Sequence, residues 1–250
     1  EFAGAGFENV VASELAIPFL KIASSQTPEI KKSNPKFVEG LQEGHIFNSV
    51  TKEFYDHVVV VPSFFRVRGV EWYPLGEGTG APVKLYKPEE IPPLVRGADG
   101  EDHYMIDGKP SQTYINKTAE YFVLILKEDG STERAQIVMQ KTQYKKAKYW
   151  NTMMANQKIE TKSGSMMTLP MFANAYTMKG VHEANKKNDW WGWKIDLFKS
   201  VNDYSNASYI VNEANTFREL VKSGEIDPAP ETQDDPVSEM KNLNPSQDDL

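Results

Sequence analysis

The chain has 250 residues, 40% hydrophobic and 25% charged, with a formal net charge of −7 and no cysteine. That length gives one large domain or two small ones, the composition is that of a globular protein, and the lack of thiols excludes disulfides, thiolate zinc sites, iron–sulfur clusters and a cysteine nucleophile. No run approaches the roughly 18 apolar residues of a membrane span, and no leader peptide is visible in a chain that begins at Glu1, so a cytosolic protein is expected.

The chain opens with a Gly-rich start carrying Phe2 and Phe7, followed by the apolar stretch Leu15–Ile22. Pro18 would break a helix there, so a short extended or irregular segment is predicted, with a helical turn after it. The run from His57 to Arg68 is rich in β-branched and aromatic residues and predicts a strand. Its uninterrupted valines predict burial on both faces, and Pro62 then needs an edge or bulge position. Residues 74–112 hold six glycines and six prolines and predict loops and short strands with little helix. A β-hairpin follows: Tyr121–Leu126 and Arg134–Met139 flank Asp129-Gly130, a strong turn signal. A helix over 142–157 with Thr142 as N-cap comes next, then strands near 172–181 and 190–198. A second helix covers 206–223, where Ile210, Ala214, Phe217 and Val221 recur at helical spacing and Gly224 stands at the C′ position.

This string reads as a β-rich α+β protein. A helix placed before the last two strands is the order of an OB-fold-like barrel, a barrel that binds oligonucleotides. The expected organisation is an N-terminal arm over 1–44 packing on the core, an OB-like domain over 45–224 with a C-terminal helix, and an acidic tail over 225–250. That tail carries eight acidic residues, four prolines and one lysine, too few apolar groups to offset its ordering entropy, so it is expected to be disordered.

Catalytic signatures are absent. His45, His57, His103 and His182 form no metal-ligand spacing and read as surface or strand histidines. Gly76-Glu77-Gly78-Thr79-Gly80 lacks the Lys-Ser/Thr of a phosphate loop and opens no helix, so it reads as a flexible loop. Glu71, Asp102, Asp107 and Glu120 are the carboxylates a metal-dependent nuclease would recruit, though their spacing is equally that of solvated loop charges. A non-enzyme without a cofactor is expected.

Charge is distributed unevenly. Residues 1–133 carry 13 Lys/Arg and 20 Asp/Glu, residues 134–199 carry 12 against 4, and residues 200–250 carry 3 against 11. The basic third, net +8, also holds four of the five tryptophans. Lys141, Lys145, Lys146 and Lys148 interleave with Tyr149 and Trp150; Lys179, Lys186, Lys187 and Lys194 flank Trp190 and Trp191. Cations that track phosphates and aromatic faces that stack on bases are the two residue types single-stranded nucleic acid needs. The same lysines also suit the solvated face of a helix, and Tyr144, Trp150 and Met154 its core stripe. Trp191 and Trp193 share a strand face opposite Trp190, so one side of that strand is structural. Arg66, Arg68 and Trp72 are a further set, with both arginines on one strand face; that pattern suits an edge strand protected by charge equally well.

The basic aromatic body and acidic tail together resemble phage single-stranded DNA-binding proteins, including those of short-tailed coliphages. Residues Gly6-Phe7-Glu8-Asn9-Val10, Ile17-Pro18-Phe19-Leu20-Lys21-Ile22 and Gly44-His45-Ile46-Phe47-Asn48-Ser49-Val50 are in turn similar to a family of uncharacterised phage proteins associated with replication and recombination gene clusters. The first resemblance implies coating of single-stranded DNA with little sequence preference and a tail that competes with DNA and contacts replication or recombination proteins. Asp248, Asp249 and Leu250 would make that tail contact; Leu250 stands where such tails end in an aromatic residue. A homo-oligomer is compatible with this reading. The alternatives are a strand-annealing or recombination-mediator protein, a metal-dependent nuclease, and a virion or host-takeover interaction protein.

Overall fold

The computed structural model describes residues 14–186 and 188–228, together with Gly6 and Val11. In chain order the first strands are β1 (Leu20–Ile22), β2 (Ile46–Asn48), β3 (Phe54–Tyr55), β4 (His57–Trp72), β5 (Lys84–Tyr86), β6 (Leu94–Arg96), β7 (Asp102–Ile106) and β8 (Lys109–Pro110). Then come β9 (Tyr114–Leu126), β10 (Thr132–Gln140), helix α1 (Tyr144–Ala155), β11 (Lys158–Glu160), β12 (Met166–Thr168), β13 (Asn174–Ala184), β14 (Asp189–Ser200) and helix α2 (Ala207–Ser223). The chain divides into two compact units, residues 1–66 with 119–228, and residues 67–118.

The larger unit is built on the strand path β10-β9-β4-β13-β14, with a small sheet β1-β2-β3 and a separate ribbon β11-β12. Alternate residues of β9 enter two cores: Tyr121, Val123 and Ile125 join Val58, Val60, Ile137, Trp150, Tyr176 and Met178, while Phe122 and Leu124 join Val61 and Ala175 under α2. A sheet covered on both faces needs continuous apolar runs rather than strict alternation, which is why Val58–Val61 and Tyr121–Ile125 read as they do. Helix α2 contributes Ile210, Ala214, Phe217 and Val221, and Gly224 ends it at φ 81°, a left-handed conformation that glycine adopts without steric cost.

The β-rich architecture with two α-helices is as expected, but no barrel closes among the described residues. The path ends at β10 and β14, which do not pair. Their edges are met by other segments: the Gln136 N–H donates to the Pro18 carbonyl at 2.8 Å, and the Trp193 N–H to Gln143 Oε1 at 3.0 Å. Pro62 lies past the β4–β13 ladder, which ends at Val60, so its missing N–H costs no bond there. Thr142 does not cap α1. Residues 141–143 form a 3₁₀ turn, Lys141 has φ 51°, and Gln143 occupies the N-cap position without a side-chain capping bond.

The end of the larger unit also differs from the expected tail boundary. Ile226 is buried in the α2 core, its N–H donates to Leu220, and Asp227 pairs with Arg66 at 2.7 Å. The folded body therefore runs four residues into the segment expected to be tail; residues 229–250 lie outside the described residues.

Residues 67–118 hold β5 on the second half of β4, and the sheet β6-β7-β8. The loops and short strands predicted there are present. Asp107 and Gly108, both at positive φ, turn β7 into β8 as a second Asp-Gly hairpin, so Asp107 serves a turn.

Candidate nucleic-acid interface

The basic third folds as α1 followed by the long hairpin β13–β14, and the strand register sets which cations share a face. Directly paired residues project together and faces alternate along each strand. Lys179 is paired with Lys194 on β14 and with His57 on β4, and all three side chains are exposed. They form a row across three strands. Like charges directly opposite each other destabilise a sheet, so the Lys179–Lys194 pair is not there for stability. Lys179 has no ion-pair partner among the described residues, and Lys194 reaches Asp196 at 3.5 Å.

Along the same face the next pairs are Val181 with Gly192 and Glu183 with Trp190. Glu183 accepts a hydrogen bond from Trp190 Nε1 at 2.9 Å, pairs with the Lys146 ammonium, and is bonded by the Gln143 side chain. Burial raises the Glu183 carboxyl, but these donors outweigh it and hold the group below its ordinary value. Gly192 makes the arrangement possible: a Cβ there would lie 2.5 Å from Glu183 Oε2 and 2.8 Å from Gln143 Nε2.

On α1, Lys145 and Lys148 are exposed and lie over Tyr149 and Tyr144, each ammonium 5.6 Å from the ring centroid. Tyr149 is 59% exposed, an open aromatic face among lysines. Lys141 and Lys186 are also exposed. Trp191 projects to the opposite face of β14, half-buried, with Nε1 donating to Glu43 at 3.1 Å and its ring lying against Gly44.

Among known families, the one described as "Pam3 phage gp34-like protein" matches residues 1–227. The chain belongs to this phage family. No curated protein and no solved structure matches it. The match ends at Asp227, the residue that Arg66 holds.

Several residues expected at the interface are withdrawn into the fold. Trp150 is 1% exposed, packed between Tyr121, tilted at 4.4 Å, and Tyr176, edge-on at 5.6 Å; it is a core residue of α1 and presents no face to a base. Arg66 lies over Phe122, and its guanidinium bonds Glu120 at 2.6 Å and Asp227, so both its charge and its face are engaged. Arg68 and Trp72 are buried, the latter beside Val70 and Tyr114. Both fail as surface groups because β4 is an interior strand, between β9 and β13, rather than the lining of a groove or a charged edge. Lys187, Asp248, Asp249 and Leu250 lie outside the described residues.

The nuclease carboxylates are likewise accounted for. Glu71 is 3% exposed and accepts from Thr113 Oγ1 at 2.5 Å, Tyr86 OH at 2.7 Å and Tyr104 OH at 3.0 Å. Glu120 is the buried partner of Arg66, and Asp102 pairs with Arg96. Among the described residues no group of three or more His, Asp or Glu side chains is placed to hold a metal ion. No described helix is long and apolar enough to cross a membrane.

The histidines divide by setting. His103 is buried, with Nδ1 2.9 Å from the Ser111 and Thr113 carbonyls and Nε2 2.9 Å from Asp99. Both nitrogens face acceptors, which favours the charged ring; burial lowers its pKa, but Asp99 and the carbonyls outweigh that and raise it. His45 stacks on Phe54, and His182 pairs with Asp189. His57 and Gln143 lie on the candidate surface but carry no sequence signal of their own; only strand register and the turn before α1 bring them in.

Proposed function

We propose that this phage protein binds single-stranded DNA with little sequence preference, through the α1–β13–β14 surface, during replication or recombination. The observation that carries this reading is the row of His57, Lys179 and Lys194. Its two lysines are like charges paired directly across β13 and β14, which weakens the sheet unless an anion runs along it. Trp190 lies further along the same face, and Tyr149 gives an exposed ring on α1. Stacking on such rings is worth about 1–3 kcal/mol per base whatever the base. The placement of α1 ahead of the β13–β14 hairpin supports an OB-like ordering of the binding elements.

Residues 229–250 carry six Asp/Glu and one Lys, which fits a tail that competes with DNA for the lysines and offers Asp248, Asp249 and Leu250 to replication or recombination proteins. Tryptophan fluorescence during titration with oligo-dT tests the reading, on the full chain and on a version ending at Pro228, which keeps Ile226 and Asp227 in place. Quenching in both, tighter without the tail, is expected. No quenching and no gel shift in either would overturn it.

A further inference from the structure

Glu183 sits in a donor set suited to a different anion. The Lys146 ammonium, the Gln143 amide and Trp190 Nε1 converge on its carboxylate from α1, from the turn before it and from β14. The Gln143 amide is oriented from behind: its Oε1 accepts the Trp193 N–H, leaving Nε2 to face Glu183. Gly192 keeps the floor clear. One cation and two neutral N–H donors around a single oxyanion also match the non-bridging oxygens of a phosphodiester. The site opens to solvent, with the Lys146 and Glu183 side chains 30% and 24% exposed.

We infer that Lys146, Gln143 and Trp190 form a phosphate-binding site in which Glu183 stands in for a backbone phosphate, and that a bound single strand displaces the Glu183 carboxylate; this rests on the single-strand reading above. Glu183 is next to last in β13, and only residues 185–188 separate that strand from β14, so the carboxylate leaves by movement of a hairpin end. A half-open ion pair contributes little by itself, whereas a polyanion that takes its place also meets Lys179 and Lys194 on the same face and releases counterions. Among the described residues, the other titratable groups at this hairpin end are His182, hydrogen-bonded to Asp189, and exposed Lys186. Glu183 thus sets a threshold: an isolated anion gains only the exchange, and a strand gains the exchange plus the row.

The test compares wild type, Glu183→Gln and Glu183→Gln/Lys146→Met for binding of oligo-dT and, separately, of inorganic phosphate, with circular dichroism to check the fold. Glu183→Gln is expected to bind oligo-dT about three- to tenfold more tightly at low salt, with a salt slope steeper by about 0.7, and Lys146→Met to remove that gain. Unchanged or weaker binding with a native spectrum, or a gain that survives Lys146→Met, would overturn the inference. The Trp190 indole N–H resonance of the wild type is a second measurement that needs no variant: it is expected to shift on adding oligo-dT, and a resonance that stays still while DNA binds contradicts displacement. If no form binds oligo-dT but Glu183→Gln alone takes up inorganic phosphate, the single-strand reading falls and the anion site stands. If no form binds either anion, both fall.

Discussion

Glu71 and Glu183 are each held by three donors, and they stand at opposite ends of what a carboxylate can do in a fold. Glu71 is buried in residues 67–118 and receives three hydroxyls, from Tyr86, Tyr104 and Thr113. None carries charge, none faces water freely, and burial together with Glu71 pushes the Tyr86 phenol well above its ordinary value. Such a group is fully satisfied and closed to exchange. Glu183 is half-open, and one of its donors is a lysine on a separate helix. The contrast teaches that the hydrogen-bond count does not separate a structural acid from an exchangeable one; donor charge and access do.

Four measurements break or sharpen this contrast. The largest effect is expected within α1, where neighbouring aromatics fall on either side of the same divide: Trp150→Ala should cost about 3–5 kcal/mol in urea denaturation, whereas Tyr149→Ala should stay within about 0.5 kcal/mol and weaken oligo-dT binding instead. Glu71→Ala leaves three hydroxyls without their acceptor and should destabilise by about 2–4 kcal/mol, with oligo-dT affinity unchanged; a drop in affinity at constant fold would place Glu71 in the binding surface. The Lys179→Ala/Lys194→Ala pair should lower the salt slope by about 1.4 and leave stability unchanged or raise it by a few tenths of a kcal/mol. A large loss of stability would make the lysine row structural.

The smallest effect is expected at His103. Its pKa is raised in the fold, so the stability it supplies is complete below its ordinary value of about 6.5 and is lost as pH rises through the raised value. Amide-exchange protection over residues 99–113 should therefore decline from neutral to mildly alkaline pH. His103→Gln should flatten that decline, and a profile identical to wild type would remove the imidazolium from the account.

Much of the frame was legible in the sequence. Asp129-Gly130 between two apolar runs placed the β9–β10 hairpin, the spacing of Ile210, Ala214, Phe217 and Val221 placed α2, and Gly224 placed its end. These are local signals set by turn chemistry and periodicity. The ribbon β11–β12 was missed because its six residues are all exposed, so it shows no alternation to read. The site was legible by composition and not by geometry. The pairing of Lys179 with Lys194 spans a hairpin, and that of Lys179 with His57 spans more than a hundred residues; neither follows from spacing. Trp150 was ambiguous because an aromatic amid lysines fits a core stripe and a stacking platform equally, and only the positions of Tyr121 and Tyr176 decide. Arg66 and Arg68 misled because an interior strand with paired or buried arginines has the same alternation as a charged edge strand.

The most direct single measurement is oligo-dT affinity of the full chain across a range of salt concentrations, for wild type and for Lys179→Ala/Lys194→Ala. The expected result is a straight log–log decline that becomes shallower in the double variant. Affinity independent of salt, or the same slope in both proteins, would contradict a strand running along β4, β13 and β14.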